Sequence, residues 1–263
     1  MTWQFTKVGK IPKDMKNTIL IEGLPGIGNV GKVVVDFIID DIKAKKIYDI
    51  FSYTFPHSVF VNDKNLVELP SISLFHKKVG TKNILLLTGD VQPVDEIPSY
   101  EFTEHILNIL QDYKCKEIIT LGGIGLNHIP DKPKVYCTGN DKTLIKKYEK
   151  GTKLDNKIYG VVGPIIGVSG LLLGLGEKRK IPAISLLAET FSNPMFLGVK
   201  GSSAILKVLD KKLNMKLNLK KMNKEITEIE KEMMKRTEEF SQVSRQTALN
   251  KVQGKLGDTS YIG

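Results

Sequence analysis

The sequence has little of what metal, redox or covalent chemistry needs. Its 263 residues include two cysteines, four histidines and one tryptophan. Cys115 and Cys137 match neither a metal-ligand spacing nor a disulfide framework, which predicts free thiols in a reducing compartment. The histidines are dispersed and form no H-x-x-x-H pattern: His57, His76, His105 and His128. We therefore predict no metal site and no bound cofactor.

Uninterrupted hydrophobic runs are also missing. The longest apolar stretch, 158–175, is broken by five glycines and Pro164, so a membrane helix there would leave backbone groups unsatisfied. Residues 1–16 lack the apolar centre and the cleavage site of a signal peptide. These absences predict a cytoplasmic protein without a membrane partner.

Arginine is scarce although the chain is basic. The net charge is +10, yet the only arginines are Arg179, Arg236 and Arg245. Base readout and bidentate phosphate contacts favour arginine, so scattered lysines indicate a solvated surface more than a nucleic-acid site. A content of 41% hydrophobic and 26% charged residues is typical of a globular protein.

Short apolar strands alternate with amphipathic helices along most of the chain. Strands are expected at 18–22, 50–55, 58–61, 66–75, 83–88, 117–121, 134–137, 159–162 and 181–187, and helices at 31–42, 99–114, 168–180 and 200–213. Such alternation is the signature of a largely parallel sheet covered on both faces. We predict a three-layer α/β/α sandwich over residues 1–214, with a partly antiparallel section between residues 50 and 75.

The composition changes after residue 214. Apolar residues recur at spacings of three, four and seven over 215–241, which predicts an amphipathic helical extension. This helix either lies back on its own domain or forms a seam between protomers, and the residues assigned to the seam are Met222, Ile226, Ile229 and Met233. Residues 242–263 are rich in Ser, Gln, Thr and Gly and are expected to form a flexible C-terminal tail.

Two glycine-rich segments follow predicted strands. Gly26, Gly28 and Gly31 fit G-x-G-x-x-G between a strand and a helix, where backbone N–H groups can hold a pyrophosphate. No acidic residue ends a clear second strand about twenty residues on, where the ribose partner is expected. The alternative is that the glycines permit a tight turn and close packing. The second segment, Gly122, Gly123 and Gly125, is interpreted as a further structural loop at the same sheet edge.

No catalytic constellation accompanies these glycines. Ser169 lies in G-V-S-G, which lacks the G-x-S-x-G spacing of a nucleophile elbow. We therefore predict a binding protein and not an enzyme. The alternative is a nucleotide- or nucleoside-binding α/β protein or enzyme that uses the two glycine segments.

Five segments resemble the archaeal members of the proteasome-assembly-chaperone family. They are ILIEGLPGIGNVG (19–31), LLLTGDVQP (85–93), ITLGGIG (119–125), GVVGPIIGVSGLLLGLG (160–176) and NPMFLGVKGSSAILKVL, which ends in the 200–213 helix. The resemblance implies a purine-nucleoside-phosphorylase-like α/β/α fold without catalytic residues. It further implies a cyclic homo-oligomer that acts as an ATP-independent chaperone or adaptor on the α-subunit ring of the proteasome core particle.

The resemblance also implies a role for the last residues of the sequence. In this family a C-terminal hydrophobic–Tyr–any-residue ending inserts into pockets between proteasome α subunits. The corresponding residues here are Tyr261, Ile262 and Gly263, which we assign to partner binding. This sequence departs from the family pattern, because Tyr261 is third from the end and Ser260 replaces the hydrophobic residue.

Overall fold

The computed structural model describes residues 3–62, 64–155, 157–158, 160, 163–193, 196–222 and 224. Its strands are β1 (Trp3–Lys7), β2 (Thr18–Glu22), β3 (Lys45–Ser52), β4 (Phe60–Val61), β5 (Val67–Glu68), β6 (Ile72–Val79), β7 (Lys82–Gly89), β8 (Glu117–Leu126), β9 (Val135–Gly139), β10 (Leu154–Asp155) and β11 (Ala183–Phe191). Its helices are α1 (Val30–Asp41), α2 (Glu96–Asp112), α3 (Lys142–Glu149), α4 (Val168–Lys178) and α5 (Val199–Leu213), with a short 3-10 helix at Ile27–Asn29.

Nine of these strands form one mixed sheet in the order β1-β3-β6-β7-β2-β8-β11-β9-β10. The four central strands, β7, β2, β8 and β11, are parallel. On one side β6, β3 and β1 continue the sheet in antiparallel pairs, which confirms the antiparallel section. The strands β4 and β5 form a separate two-stranded hairpin.

Burial on both faces of the sheet explains the apolar composition of its central strands. In β2, Ile19 and Ile21 belong to one core cluster and Leu20 belongs to the other, as expected for side chains that alternate between faces. The first cluster lies beneath α1, α3 and α5, and the second lies beneath α2 and α4. The prediction of a three-layer α/β/α sandwich is confirmed.

Three elements were not anticipated from the sequence. The edge strand β1 carries Trp3, which is buried against Phe55 and Phe102. The short helix α3 is mostly lysine on its exposed face and buries only Leu144 and Tyr148, one turn apart. Strand β10 has two residues and pairs with β9. Each element is short or highly charged, so tertiary contacts decide its conformation.

The start of the predicted helical extension lies on the domain itself. Met222 is buried in the same cluster as α1 and α5, together with Met215 and Leu217. Ile226, Ile229 and Met233 lie outside the described residues, as does most of the strand expected at 159–162. Intersubunit contact through this segment stays a prediction. Across the described residues, every helix is too short or too polar to cross a bilayer.

Candidate functional site

The carboxyl ends of the central parallel strands lie together at one edge of the sheet. At this edge the connections that follow two neighbouring strands lead in opposite directions. After β2 the chain passes through α1 to β3 on one side of the sheet, whereas after β8 it passes to β9 on the other side. Open α/β sheets hold ligands outside the strand ends at such a switch point. The two glycine segments both lie here, so the expectation that they share this edge is confirmed.

The three glycines of the first segment differ in what surrounds them. Gly26 is extended, and a Cβ added there would meet no atom within 4 Å. Gly28 has a φ of 60°, and its Cβ would lie 2.7 Å from Thr190 Oγ1. At Gly31 an added Cβ would lie 2.5 Å from the carbonyl oxygen of Leu121 in β8. Packing therefore explains the second and third glycines without any ligand.

The second glycine segment is not a loop, which corrects the interpretation of Gly122, Gly123 and Gly125. All three lie inside β8, which continues to Leu126 in parallel register with β11. A Cβ at Gly123 would lie 2.3 Å from the Ile27 carbonyl oxygen, so the 3-10 turn rests directly on the strand. Glycine has a low propensity for β-strands. At this position glycine is nevertheless required, because a second backbone approaches the strand too closely for a side chain.

We call the contact of Gly28, Gly31 and Gly123 with Thr190, Leu121 and Ile27 the glycine junction. The junction is also hydrogen-bonded to the start of α5, because the Gly198 amide donates to the Gly28 carbonyl oxygen at 2.7 Å. The Ser202 hydroxyl donates to the Val30 carbonyl oxygen at 3.1 Å. The junction thus fixes the first turns of α1 and α5 relative to β8 and β11.

A cavity of about 470 Å³ opens beside the glycine junction. Its lining comprises Leu24, Pro25, Gly26, Ile27, Val30, Gly31, Gln92, Leu121, Gly122, Gly123, Ile124, Gly125, Gly163, Pro164, Ile165, Ile166, Ser169 and Leu187. The Gln92 side chain closes one wall by donating to the Pro25 carbonyl oxygen at 2.6 Å. The described residues of this lining include no lysine, arginine or histidine, so they offer no cationic side chain to a phosphate group.

A buried carboxyl group lies directly beneath the cavity. Glu22 ends β2 and is fully buried. One carboxyl oxygen accepts from the Leu24 amide at 3.0 Å, and the other accepts from the Ser169 hydroxyl at 2.8 Å. Burial raises the pKa of Glu22 from 4.5 to about 7, and the two hydrogen bonds oppose this rise. The sequence interpretation missed Glu22, although an acidic residue that ends an apolar central strand was a usable signal.

Two buried hydroxyl groups extend this polar row across the sheet. Thr120 of β8 pairs in register with Glu22 on one side and with Ser185 of β11 on the other. Among the described residues, neither hydroxyl oxygen has a hydrogen-bond partner. Such groups cost free energy inside a core.

Among the described residues, the groups around Ser169 do not form a catalytic triad, and neither cysteine has a lowered pKa. The Ser169 hydroxyl donates directly to Glu22, whose pKa burial raises to about 7, and no histidine is among the described residues that line the cavity. Burial raises the pKa of both Cys115 and Cys137 to about 12, so neither thiol is activated. Within the described ranges, no group of three or more His, Cys, Asp or Glu could hold a metal ion.

The residues assigned to partner binding are not described by the structure. Tyr261, Ile262 and Gly263 lie outside the described ranges, and so do three of the four residues assigned to the protomer seam. Met222 is the exception, and it packs against its own domain.

Comparison with known proteins identifies relatives over nearly the whole chain. The family model described as the PAC2 family matches residues 20–237. An uncharacterised protein of Methanocaldococcus jannaschii, MJ1210, is 30% identical over 237 residues, which is 89% of each chain.

Two solved structures from Pyrococcus furiosus share the fold. PbaB, described as an archaeal proteasome activator, is 28% identical with a TM-score of 0.79 over 89% of this chain and 98% of its own. PbaA, described as an archaeal homologue of a proteasome-assembly chaperone, is 22% identical with a TM-score of 0.73 over 95% and 98%. The family resemblance in the sequence is confirmed.

If packing explains the G-x-G-x-x-G segment, alanine should destabilise the protein at Gly31 but have little effect at Gly26. Gly31→Ala places a methyl group against the β8 backbone and should lower the free energy of unfolding by about 1–3 kcal/mol. Gly26→Ala is the matched control and should change it by less than about 0.5 kcal/mol. Urea-induced unfolding of both variants measures this. Equal effects of the two substitutions would contradict the packing interpretation.

The buried Glu22 predicts a pH-dependent loss of stability. In the unfolded chain this carboxyl ionises near 4.5, whereas in the folded chain it ionises near 7. Folding therefore favours the neutral form of Glu22. The contribution of this group to the free energy of unfolding is greatest below pH 4.5 and is lost as the pH rises through 7. The shift corresponds to about 3 kcal/mol.

Glu22→Gln keeps the shape of the side chain, can bond both the Leu24 amide and the Ser169 hydroxyl, and cannot ionise. Its stability relative to the unmodified protein should therefore rise between pH 5 and pH 8. Thermal unfolding across this range measures the difference. The exposed Asp131→Asn is the control and should follow the unmodified protein. A Glu22→Gln variant with the same pH dependence as the unmodified protein would show that burial does not control this carboxyl.

Proposed function

The chain belongs to the PAC2 family, and we propose that it is a proteasome assembly chaperone or adaptor that acts without ATP. It contacts the α-subunit ring of the core particle through the segment that contains Tyr261 and Ile262. The observation that carries this proposal is the similarity to the proteasome activator PbaB, at 28% identity and a TM-score of 0.79.

The chemistry of the glycine cavity agrees with a binding role. A nucleotide or nucleoside is the alternative ligand of this edge, but the lining offers no cationic side chain for a phosphate. Two of the three motif glycines already have a packing role. An adaptor needs a rigid domain and contact surfaces, and the glycine junction supplies that rigidity.

The last residues of the sequence suit recognition by insertion. A tyrosine buries a large area while losing few rotatable bonds, so one aromatic anchor per protomer contributes much to binding. When several protomers engage one ring together, their contacts reinforce each other without any new interaction. The proposal therefore includes a homo-oligomer.

The β4–β5 hairpin is the described surface best suited to hold the protomers together. Both faces of this hairpin are exposed, with Val61 68% and Val67 66% accessible. An isolated two-stranded hairpin is marginally stable in water. Beside it lies an apolar groove of about 380 Å³ lined by Phe51, Ser52, Tyr53, Phe55, Pro56, His57, Ser58, Val59 and Leu69. We assign the hairpin and the groove to contact with a second copy of the chain.

Removal of the terminal segment tests the recognition step. Truncation after Thr259 should leave fold and oligomer intact and weaken binding to isolated α-subunit rings by about tenfold or more. Tyr261→Ala should do nearly as much, and Thr259→Ala in the same segment is the matched control. Surface plasmon resonance on immobilised rings measures the affinity. Full-strength binding by the truncated chain would place recognition on the domain.

Charges in the hairpin test the oligomer. Phe60→Asp with Val67→Asp should yield smaller species in sedimentation velocity, because buried carboxylates oppose association. Ile226→Asp with Ile229→Asp tests the seam predicted from the sequence in the same way. If only the second pair dissociates the oligomer, the seam is the helical extension and the hairpin assignment is wrong.

A further inference from the structure

A groove at the far end of the sheet carries a concentration of positive charge that the proposed function does not use. It lies between α5 and the β9–β10 pair and encloses about 790 Å³. Its lining comprises Pro133, Lys134, Val135, Gly151, Thr152, Lys153, Leu154, Asp155, Ala204, Lys207, Val208 and Lys211. We call this surface the lysine groove. In strand order it is at the opposite end of the sheet from β1 and β3.

The groove combines an apolar floor with a basic rim. Along α5, Ala204 and Val208 alternate with Lys207 and Lys211, so one helical face supplies both kinds of contact. From the opposite wall, β9 and β10 contribute the apolar residues Val135 and Leu154. Four lysines and one aspartate line the groove, which gives it a net charge of +3 from these side chains.

Two nearby carboxylates bond groups other than the ammonium groups of the rim. Glu117 pairs with Lys147 at 2.5 Å, and Glu189 accepts from the Lys134 amide and the Tyr136 hydroxyl. Among the ion pairs of the described residues, none includes Lys134, Lys153 or Lys207.

Lys212, which is outside the lining, lies in a positive potential beside the groove. Lys211 donates to the Gly151 carbonyl oxygen, and Lys212 donates to the carbonyl oxygens of Lys147 and Lys150 at the end of α3. Burial lowers the pKa of Lys212, and the charges of Lys211, Lys147 and Lys150 lower it further. So many like charges around one groove favour a negatively charged partner.

We propose that the lysine groove binds an acidic segment of a partner protein that also carries aliphatic side chains. The aliphatic residues would lie on the floor formed by Leu154 and Val208, and Asp or Glu residues would meet Lys153 and Lys207. The described residues that line the groove include no arginine and no aromatic residue, which are the groups that nucleic-acid sites use for base contacts and stacking. This proposal does not depend on proteasome binding.

The test uses a labelled synthetic peptide of about fifteen residues in which glutamates alternate with pairs of leucines. Fluorescence anisotropy with the full chain should show binding in low salt that weakens as the salt is raised. The same peptide with every glutamate replaced by glutamine should bind at least about tenfold more weakly, and so should one with every leucine replaced by serine. A single-stranded RNA of equal charge should bind more weakly than the acidic leucine peptide.

Two charge-reversal variants localise the interaction. Lys153→Glu with Lys207→Glu should weaken peptide binding about tenfold without changing the melting temperature, since both side chains are exposed and neither forms an ion pair with another described residue. Lys10→Glu with Lys78→Glu changes the net charge equally at exposed sites elsewhere and should leave affinity within about threefold of the unmodified chain. If both double variants lost affinity for the peptide equally, the peptide would be attracted by the overall charge of the protein and not by the groove, which would overturn the proposal. Absence of peptide binding, or tighter binding of RNA that depends on Lys153 and Lys207, would also overturn it.

Discussion

The close approach of one backbone to another at the glycine junction is the constraint on which the arrangement of this domain depends. The 3-10 turn before α1 lies against β8, and the Ile27 carbonyl oxygen occupies the space that a side chain at residue 123 would need. On the other side of the turn, Gly28 accepts a hydrogen bond from the first residues of the α5 segment. Because these contacts join two helices to two central strands, they set the position of the sheet edge where the cavity and Glu22 lie.

This constraint changes how the glycine-rich sequence should be understood. A G-x-G-x-x-G pattern between a strand and a helix is equally compatible with a phosphate site and with close packing. Here the packing is specific to particular glycines, and the described lining of the cavity beside them is mostly apolar, with Gln92 and Ser169 as its polar side chains. The charged and apolar surfaces that remain are exposed, at the β4–β5 hairpin and at the lysine groove.

The sequence predicted the layers well because β2, β7 and β11 are buried on both faces and therefore consist of apolar runs. It failed at β8, where glycine after Leu121 indicated a turn, although the approach of Ile27 keeps the strand extended. It also missed α3, whose two buried residues give too weak a periodic signal. Glu22 was missed although its place at the end of an apolar strand was a local signal. The grouping of Lys153 with Lys207 depends on segments distant in sequence, so no local pattern could reveal it.

We propose above that the chain contacts proteasome α subunits through Tyr261 and its neighbours and not through the folded domain. Cross-linking of the purified chain to isolated α-subunit rings with an amine-reactive reagent, followed by mass spectrometry, tests this claim most directly. Lys251 and Lys255 lie close to Tyr261 in the sequence. We expect most cross-links to α subunits to form at these two lysines. Cross-links confined to lysines of the folded domain, such as Lys153 and Lys207, would contradict it.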